Sequence, residues 1–175
     1  ITSGVWQIIL NPTRVVEGQY DLWLPSENVL NRGTGFLYPD EEVTLTIPST
    51  ADKVISVGAY DALTFSYASF SGRGYTWQDE RTKPDLVAPG VNVRTTAVGG
   101  GVTVVSGTSF ATPFVTGASA LLMEWGIVRG NDPFLYGEKV KAYLRRGARE
   151  LPGFGKYPNR EVGYGRLCLE RSLPD

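Results

Sequence analysis

From Val5 to Leu10, Tyr20 to Leu24 and Val43 to Ile47, apolar and polar positions alternate or β-branched and aromatic residues gather, a pattern that predicts strands. Asn11-Pro12, Glu17-Gly18 and Asn31-Arg32-Gly33 interrupt them as turns. Three short strands leave open edges and half a face to bury, so antiparallel β structure completing a sheet begun upstream of Ile1 is expected. After Pro48 the pattern changes. Val54-Ile55-Ser56-Val57-Gly58-Ala59 and Leu86-Val87-Ala88 are short apolar runs bounded by glycine and proline, as in parallel strands covered on both faces. Val91 to Ala97 and Val102 to Val105 flank Gly99-Gly100-Gly101 and predict a hairpin. Thr108 to Trp125 is almost continuously small or apolar, which predicts a central helix buried on all sides. Asp132 as N-cap, Pro133 at the first helical position and Arg145-Arg146-Gly147 at the far end predict a surface helix.

Composition narrows the partners more than the fold. The 175 residues are 42% hydrophobic and 20% charged, as in soluble globular domains. The net charge of -1 contains no one-signed block, so neither nucleic acid nor an anionic membrane surface is an expected partner. Cys168 is the single cysteine and histidine is absent, which excludes an internal disulfide and leaves little for a zinc or iron site; no cofactor is expected. The longest apolar stretch, Ala118 to Met123, falls short of the ~20 residues that span a bilayer. The chain opens on Ile1 in a strand-like run, so the native start is expected upstream.

Ser109 is the residue around which chemistry gathers. A serine alcohol needs a base, an oxyanion hole and a rigid mount. Gly107 lets the backbone approach a ligand, Thr108 and Ser109 sit where a helix begins, and Pro113 is expected in the first turn, where its missing amide hydrogen has no intrahelical partner. Ser109 then projects from a helix N-terminus, and its own amide faces developing negative charge. Gly-Thr-Ser alone is usually only a capping turn. The longer string Gly107-Thr108-Ser109-x-Ala111-x-Pro113-x-Val115-x-Gly117 is far more restrictive.

That string resembles the serine signature of the subtilisin-like peptidases. Val54 to Ala59, Tyr67-Ala68-Ser69-Phe70-Ser71-Gly72-Arg73-Gly74, Lys83-Pro84-Asp85-Leu86-Val87-Ala88-Pro89-Gly90 and Val162-Gly163-Tyr164-Gly165 fall in that family's order, so the resemblance covers about residues 46 to 170. Ser109 to Gly117, Leu121 to Gly126 and Tyr136 to Leu144 resemble the clostridial branch with the germination-specific spore proteases. The resemblance implies the C-terminal part of an α/β peptidase domain over 46–175, with 1–45 as the last strands of an inserted jelly-roll domain. It implies a serine endopeptidase acting on protein or peptide substrates, extracellular or spore-associated.

Within that resemblance, Ser109 is the nucleophile. Thr46, Ile47 and Pro48 fall on the substrate pocket, where Thr46 replaces a common glycine and is expected to shorten the pocket for the residue before the scissile bond. An outward strand residue is an equally good reading of Thr46. Gly107, Thr108 and Phe110 are the other substrate-binding positions. The family's aspartate, histidine and oxyanion asparagine lie upstream, so the chain alone is expected to be inactive and to depend on that N-terminal portion. Asp52, Asp61 and Asp85 read as turn and surface residues. The resemblance admits calcium, but no residues here mark a site for it. The alternative is a pseudoprotease, a regulatory or binding subunit of the same family. Trp6, Tyr20 and Trp23 are expected to pack rather than bind carbohydrate, and Arg145, Arg146 and Arg149 to form a solvated helix end.

Overall fold

Two short apolar runs, each too rich in β-branched and small residues to leave in water, form the centre of the chain's larger unit. A computed structural model describes residues 2–18, 20–25, 29–76 and 82–174. They fall into two compact units, Ile1–Pro39 and Asp40–Asp175. In the first, the described residues form no strand, and Val5, Trp6, Ile8, Ile9, Tyr20 and Trp23 are exposed. The expected strands over Val5 to Leu10 and Tyr20 to Leu24 are therefore not formed, and the aromatics do not pack away. Alternation marks which face a strand could bury, but a ladder needs a hydrogen-bonded partner, and these segments pair with none among the described residues. Val43 to Ile47, in the second unit, is likewise not a strand. It is held by Thr44, whose amide donates to Arg73 O at 2.9 Å and whose Oγ1 accepts from the Arg73 amide at 2.9 Å.

In the second unit β1 (Val57–Asp61) runs parallel to β3 (Leu86–Pro89), pairing Val57 with Leu86 and Tyr60 with Pro89. The parallel pair expected from the apolar runs is present. β2 (Ser66–Tyr67) adds antiparallel to β1, giving the order β2-β1-β3. Beyond β3 the chain returns as a further rung, with the Val87 amide donating to Gly165 O at 2.9 Å and the Leu167 amide to Val87 O at 2.8 Å. β4 (Val93–Thr96) and β5 (Val102–Val105) form the expected hairpin.

Helix α1 (Thr108–Met123) lays Ala111, Val115, Ala118 and Leu122 on Ala59, Leu86 and Ala88. Their i, i+4, i+7, i+11 spacing is one stripe of a helix. The expectation of a helix buried all round is overturned: Phe114, Leu121 and Met123 on its other sides are exposed. The sheet, together with Leu135, Val140 and Leu144 further along the chain, covers only one face of the helix, and no described element covers the rest. Thr108–Val128, 21 residues of mean hydropathy 1.2, has the length and composition to cross a membrane, yet its buried stripe is already engaged by the sheet. Pro113 sits in the second turn rather than the first, so it has no amide hydrogen to give the carbonyl of Ser109 four residues earlier. A π-helical turn, Glu124–Val128, ends the element.

α2 (Gly137–Gly147) begins four residues later than the Asp132 cap and Pro133 start predicted. The Asp132 carboxylate is engaged instead by Lys139 Nζ and by the Tyr143 hydroxyl at 3.0 Å, so it clamps the side of the helix. The helix ends at Arg145-Arg146-Gly147 as expected. Its basic end is a solvated face only in part, since Arg146 is exposed while Arg145 turns inward. Arg145 reaches the buried Asp85, Arg146 lies 5.3 Å over the Tyr143 ring and Arg149 is 3.5 Å from Glu170. A short α3 (Leu169–Ser172) closes the unit.

Candidate active site

The route to Ser109 starts at the end of β3. Gly90 follows Pro89, and a Cβ built there meets Ala59 Cβ at 2.6 Å and Gly107 O at 3.0 Å, so only glycine lets the start of α1 come this close to the sheet. The Gly107 amide donates to Gly90 O at 2.8 Å, tying the two together. Gly107 itself has φ 153° and ψ 156°, a conformation open essentially to glycine alone. Having no side chain, it caps no amide, and no side-chain cap hydrogen bond is formed among the described residues. The first turn of α1 thus points uncapped N–H groups outward, where negative charge is favoured.

Ser109 stands on that turn. It is exposed, and its hydroxyl makes no hydrogen bond among the described residues. Gly107, Thr108 and Phe110 surround it along the chain, half-buried. Thr112 Oγ1 donates back to Thr108 O at 3.0 Å, satisfying one carbonyl of the turn that Pro113 interrupts. Thr46, Ile47 and Pro48 lie on a separate, exposed turn. Pro48 O accepts from the Ala51 amide at 3.0 Å, and Ser49 Oγ is hydrogen-bonded to Ser56 Oγ at the entry to β1. Arg73 fastens the same stretch through Glu41 at 2.8 Å.

The residue that sequence reasoning missed is Asp85. Read as a turn or surface aspartate, it is fully buried instead. Its Oδ2 accepts from the Ser56 amide at 2.6 Å and from Lys83 Nζ at 2.9 Å; its Oδ1 accepts from Arg145 Nε at 2.9 Å and lies 3.5 Å from Lys141 Nζ. Three cations converge on one carboxylate. Their excess charge is taken up by backbone carbonyls, since Lys83 donates to Val54 O at 2.8 Å and Lys141 to Asp52 O at 2.6 Å. Burial pulls the Lys141 ammonium below its ordinary value, against the opposing pull of Asp85. The polar cavity beside it is lined by Asp52, Thr82, Lys83, Lys141, Arg145 and Tyr164. These contacts pin β1, β3 and α2 together; Ser109 is not among them. The Lys-Pro-Asp run preceding a buried strand was the available signal, because a charge so close to a covered strand must be paired. Among the described residues no group of three or more His, Cys, Asp or Glu side chains could hold a metal ion.

The family model described as the subtilase family matches residues 37–165, most of the chain. The chain belongs to the subtilase family. Among solved structures, the subtilase chain is similar to the Clostridium perfringens CspB protease, with 50% identity and a TM-score of 0.77 over 82% of this chain and 30% of that one. The self-cleaved protease domain of PatA matches at 32% identity and a TM-score of 0.57, over 72% of this chain and 42% of that one. Among curated proteins, it is 34% identical to the serine protease AprX of Bacillus subtilis over 156 residues, 78% of this chain and 33% of AprX. It is 39% identical to the mouse membrane-bound transcription factor site-1 protease over 134 residues, 74% of this chain and 12% of that protein. The subtilase chain thus spans a third or less of the curated relatives just described.

Proposed function

We propose that the intact protein is a serine endopeptidase whose nucleophile is Ser109, with histidine, aspartate and an oxyanion side-chain amide supplied by an N-terminal portion outside these 175 residues. The observation that carries this reading is the exposed, unpartnered hydroxyl at the uncapped start of α1, on a turn that Gly90 and Gly107 hold against the sheet. In the reaction, the upstream histidine removes the Ser109 proton as Oγ attacks the substrate carbonyl carbon, and the Ser109 amide donates to the oxyanion. The histidine then protonates the leaving amine, and water hydrolyses the acyl-enzyme. No histidine is present in this chain, so alone it is inactive.

The remaining family expectations follow from the same reading. Thr46, Ile47 and Pro48 line the pocket for the residue before the scissile bond, and Thr46 shortens it. Residues 1–45 end an inserted jelly-roll domain. The 50% identity to the CspB protease supports placement in the clostridial branch, and with it a spore-associated or extracellular role in germination. The intact protein should react with a fluorophosphonate probe at Ser109, and Ser109→Ala should abolish the adduct. An intact protein that neither labels nor hydrolyses peptides is instead the pseudoprotease. Peptide-library profiling tests the pocket, and a strong preference for large aromatic residues before the cut removes the role given to Thr46.

A further inference from the structure

The hairpin that delivers the chain to Ser109 has two unlike faces. Its register pairs Val93 with Val105 and Thr95 with Thr103 on one side, and Arg94 with Val104 and Thr96 with Val102 on the other. The first set is half-buried. The second is exposed, with Val102 at 62% and Val104 at 57%. We propose that this exposed face, Arg94 with Val102 and Val104, docks the polypeptide substrate and selects an acidic side chain within a few residues of the scissile bond. The inference rests on the peptidase reading of Ser109 and adds to it a substrate preference.

Charge carries the argument. Arg94 is the only charged residue from Val91 to Ser106. Most other described guanidinium groups in this unit are engaged: Arg73 with Glu41, Arg129 with Glu124, Arg145 with Asp85 and Arg160 with Glu42, while Arg146 and Arg166 lie over the Tyr143 and Phe65 rings; Arg171, exposed on the short α3 far along the chain from Ser109, is the exception. Arg94 has neither a carboxylate nor a ring among the described residues. It stands directly opposite Val104, on an apolar surface that strengthens its attraction for an incoming carboxylate. A guanidinium fork suits a carboxylate better than any other side-chain group.

Position supplies the rest. The hairpin base is fastened to the start of α1 by the Gly107 to Gly90 hydrogen bond and by the Asn92 amide donating to Ser106 Oγ at 2.9 Å. Its tip is closed by the Ala97 amide on Gly101 O at 3.2 Å. Ser109 lies five positions after Val104, at most about 17 Å of chain. An extended substrate advances about 3.4 Å per residue, so Arg94 lies within reach of its first few side chains on one flank of the cut.

The test uses the intact protease on a peptide library from a protein digest, with cleavage sites mapped by mass spectrometry. Aspartate or glutamate should exceed lysine or arginine roughly two- to fivefold at one position near the cut, an exposed ion pair's worth. The preference should vanish in Arg94→Ala, reverse in Arg94→Glu and weaken at high salt. Matching melting temperatures control for folding. Identical profiles in the parent and Arg94→Glu would overturn the proposal. The same peptides, titrated against intact Ser109→Ala protein, separate the two readings. An Arg94-dependent acidic preference in binding, with no cleavage of those peptides by the parent that retains Ser109, defeats the peptidase reading alone, and cleavage by the parent without that preference defeats only the docking face.

Discussion

Asp85 and Ser109 are both polar residues at the margin of an apolar element, and the structure treats them in opposite ways. Asp85 is sealed in, and both of its oxygens are occupied by the Ser56 amide, Lys83 and Arg145, with Lys141 close by. Ser109 is exposed, with its hydroxyl unpartnered among the described residues, at an uncapped helix start. A buried charge with every bond made holds elements together and has nothing left to offer a substrate. An exposed hydroxyl on a rigid turn contributes little to stability and stays free to react. The contrast separates the part of the molecule that holds from the part proposed to act.

Removing each group should therefore fail in different ways. The largest effect is expected from Ser109→Ala in the intact protein: kcat/KM falls roughly 10⁴-fold or more while the denaturation midpoint barely moves. An equal loss of stability would mean that Ser109 is structural. Asp85→Ala should do the reverse first, costing about 3–5 kcal/mol in urea unfolding because the buried Lys83 and Lys141 and the half-buried Arg145 are left without their counter-charge. Loss of activity at unchanged stability would place Asp85 in the chemistry and break the comparison.

Gly90→Ala sharpens it, because this glycine joins the two regions. Its added methyl group meets Ala59 Cβ at 2.6 Å and Gly107 O at 3.0 Å, so a loss of about 1–3 kcal/mol is expected together with slower fluorophosphonate labelling of Ser109. Stability lost without any change in labelling would show that the helix start tolerates displacement. The smallest effect concerns Asp132, whose carboxyl is held below its ordinary 3.8 by hydrogen bonding to Lys139, while Lys139 is raised above 10.5 by the same bond. A depressed carboxylate stabilises above its unfolded value and loses that contribution as pH falls through the folded one; a raised lysine loses its own as pH climbs past 10.5. Asp132→Asn should flatten the fall in melting temperature below about pH 4, and an unchanged acid limb would show that the clamp contributes nothing.

Much of this architecture was legible in the residues. Val54 to Ala59 and Leu86 to Ala88 announced paired, covered strands, Gly99-Gly100-Gly101 announced the hairpin, and the Gly107-to-Gly117 string announced both the helix start and the family. Where reading failed, the missing information was a partner. Val5 to Leu10 alternates as a strand does but pairs with nothing described, Asp132 looked like a cap until Lys139 and Tyr143 claimed it, and Asp85 looked like a turn residue until three cations surrounded it.

The sequence by itself determined what depends on neighbours within a few positions: helical and strand periods, glycines that permit a tight approach, and a serine at a helix mouth. Only the tertiary structure decided which of those groups is covered. Burial and ion pairing depend on segments far apart along the chain, such as Asp85 and Arg145, 60 residues apart, and a local run such as Lys83-Pro84-Asp85 signals that a partner is needed without naming it. The same physics leaves one face of α1 apolar yet exposed, and leaves Arg94 without a counter-charge among the described residues at the hairpin leading to Ser109.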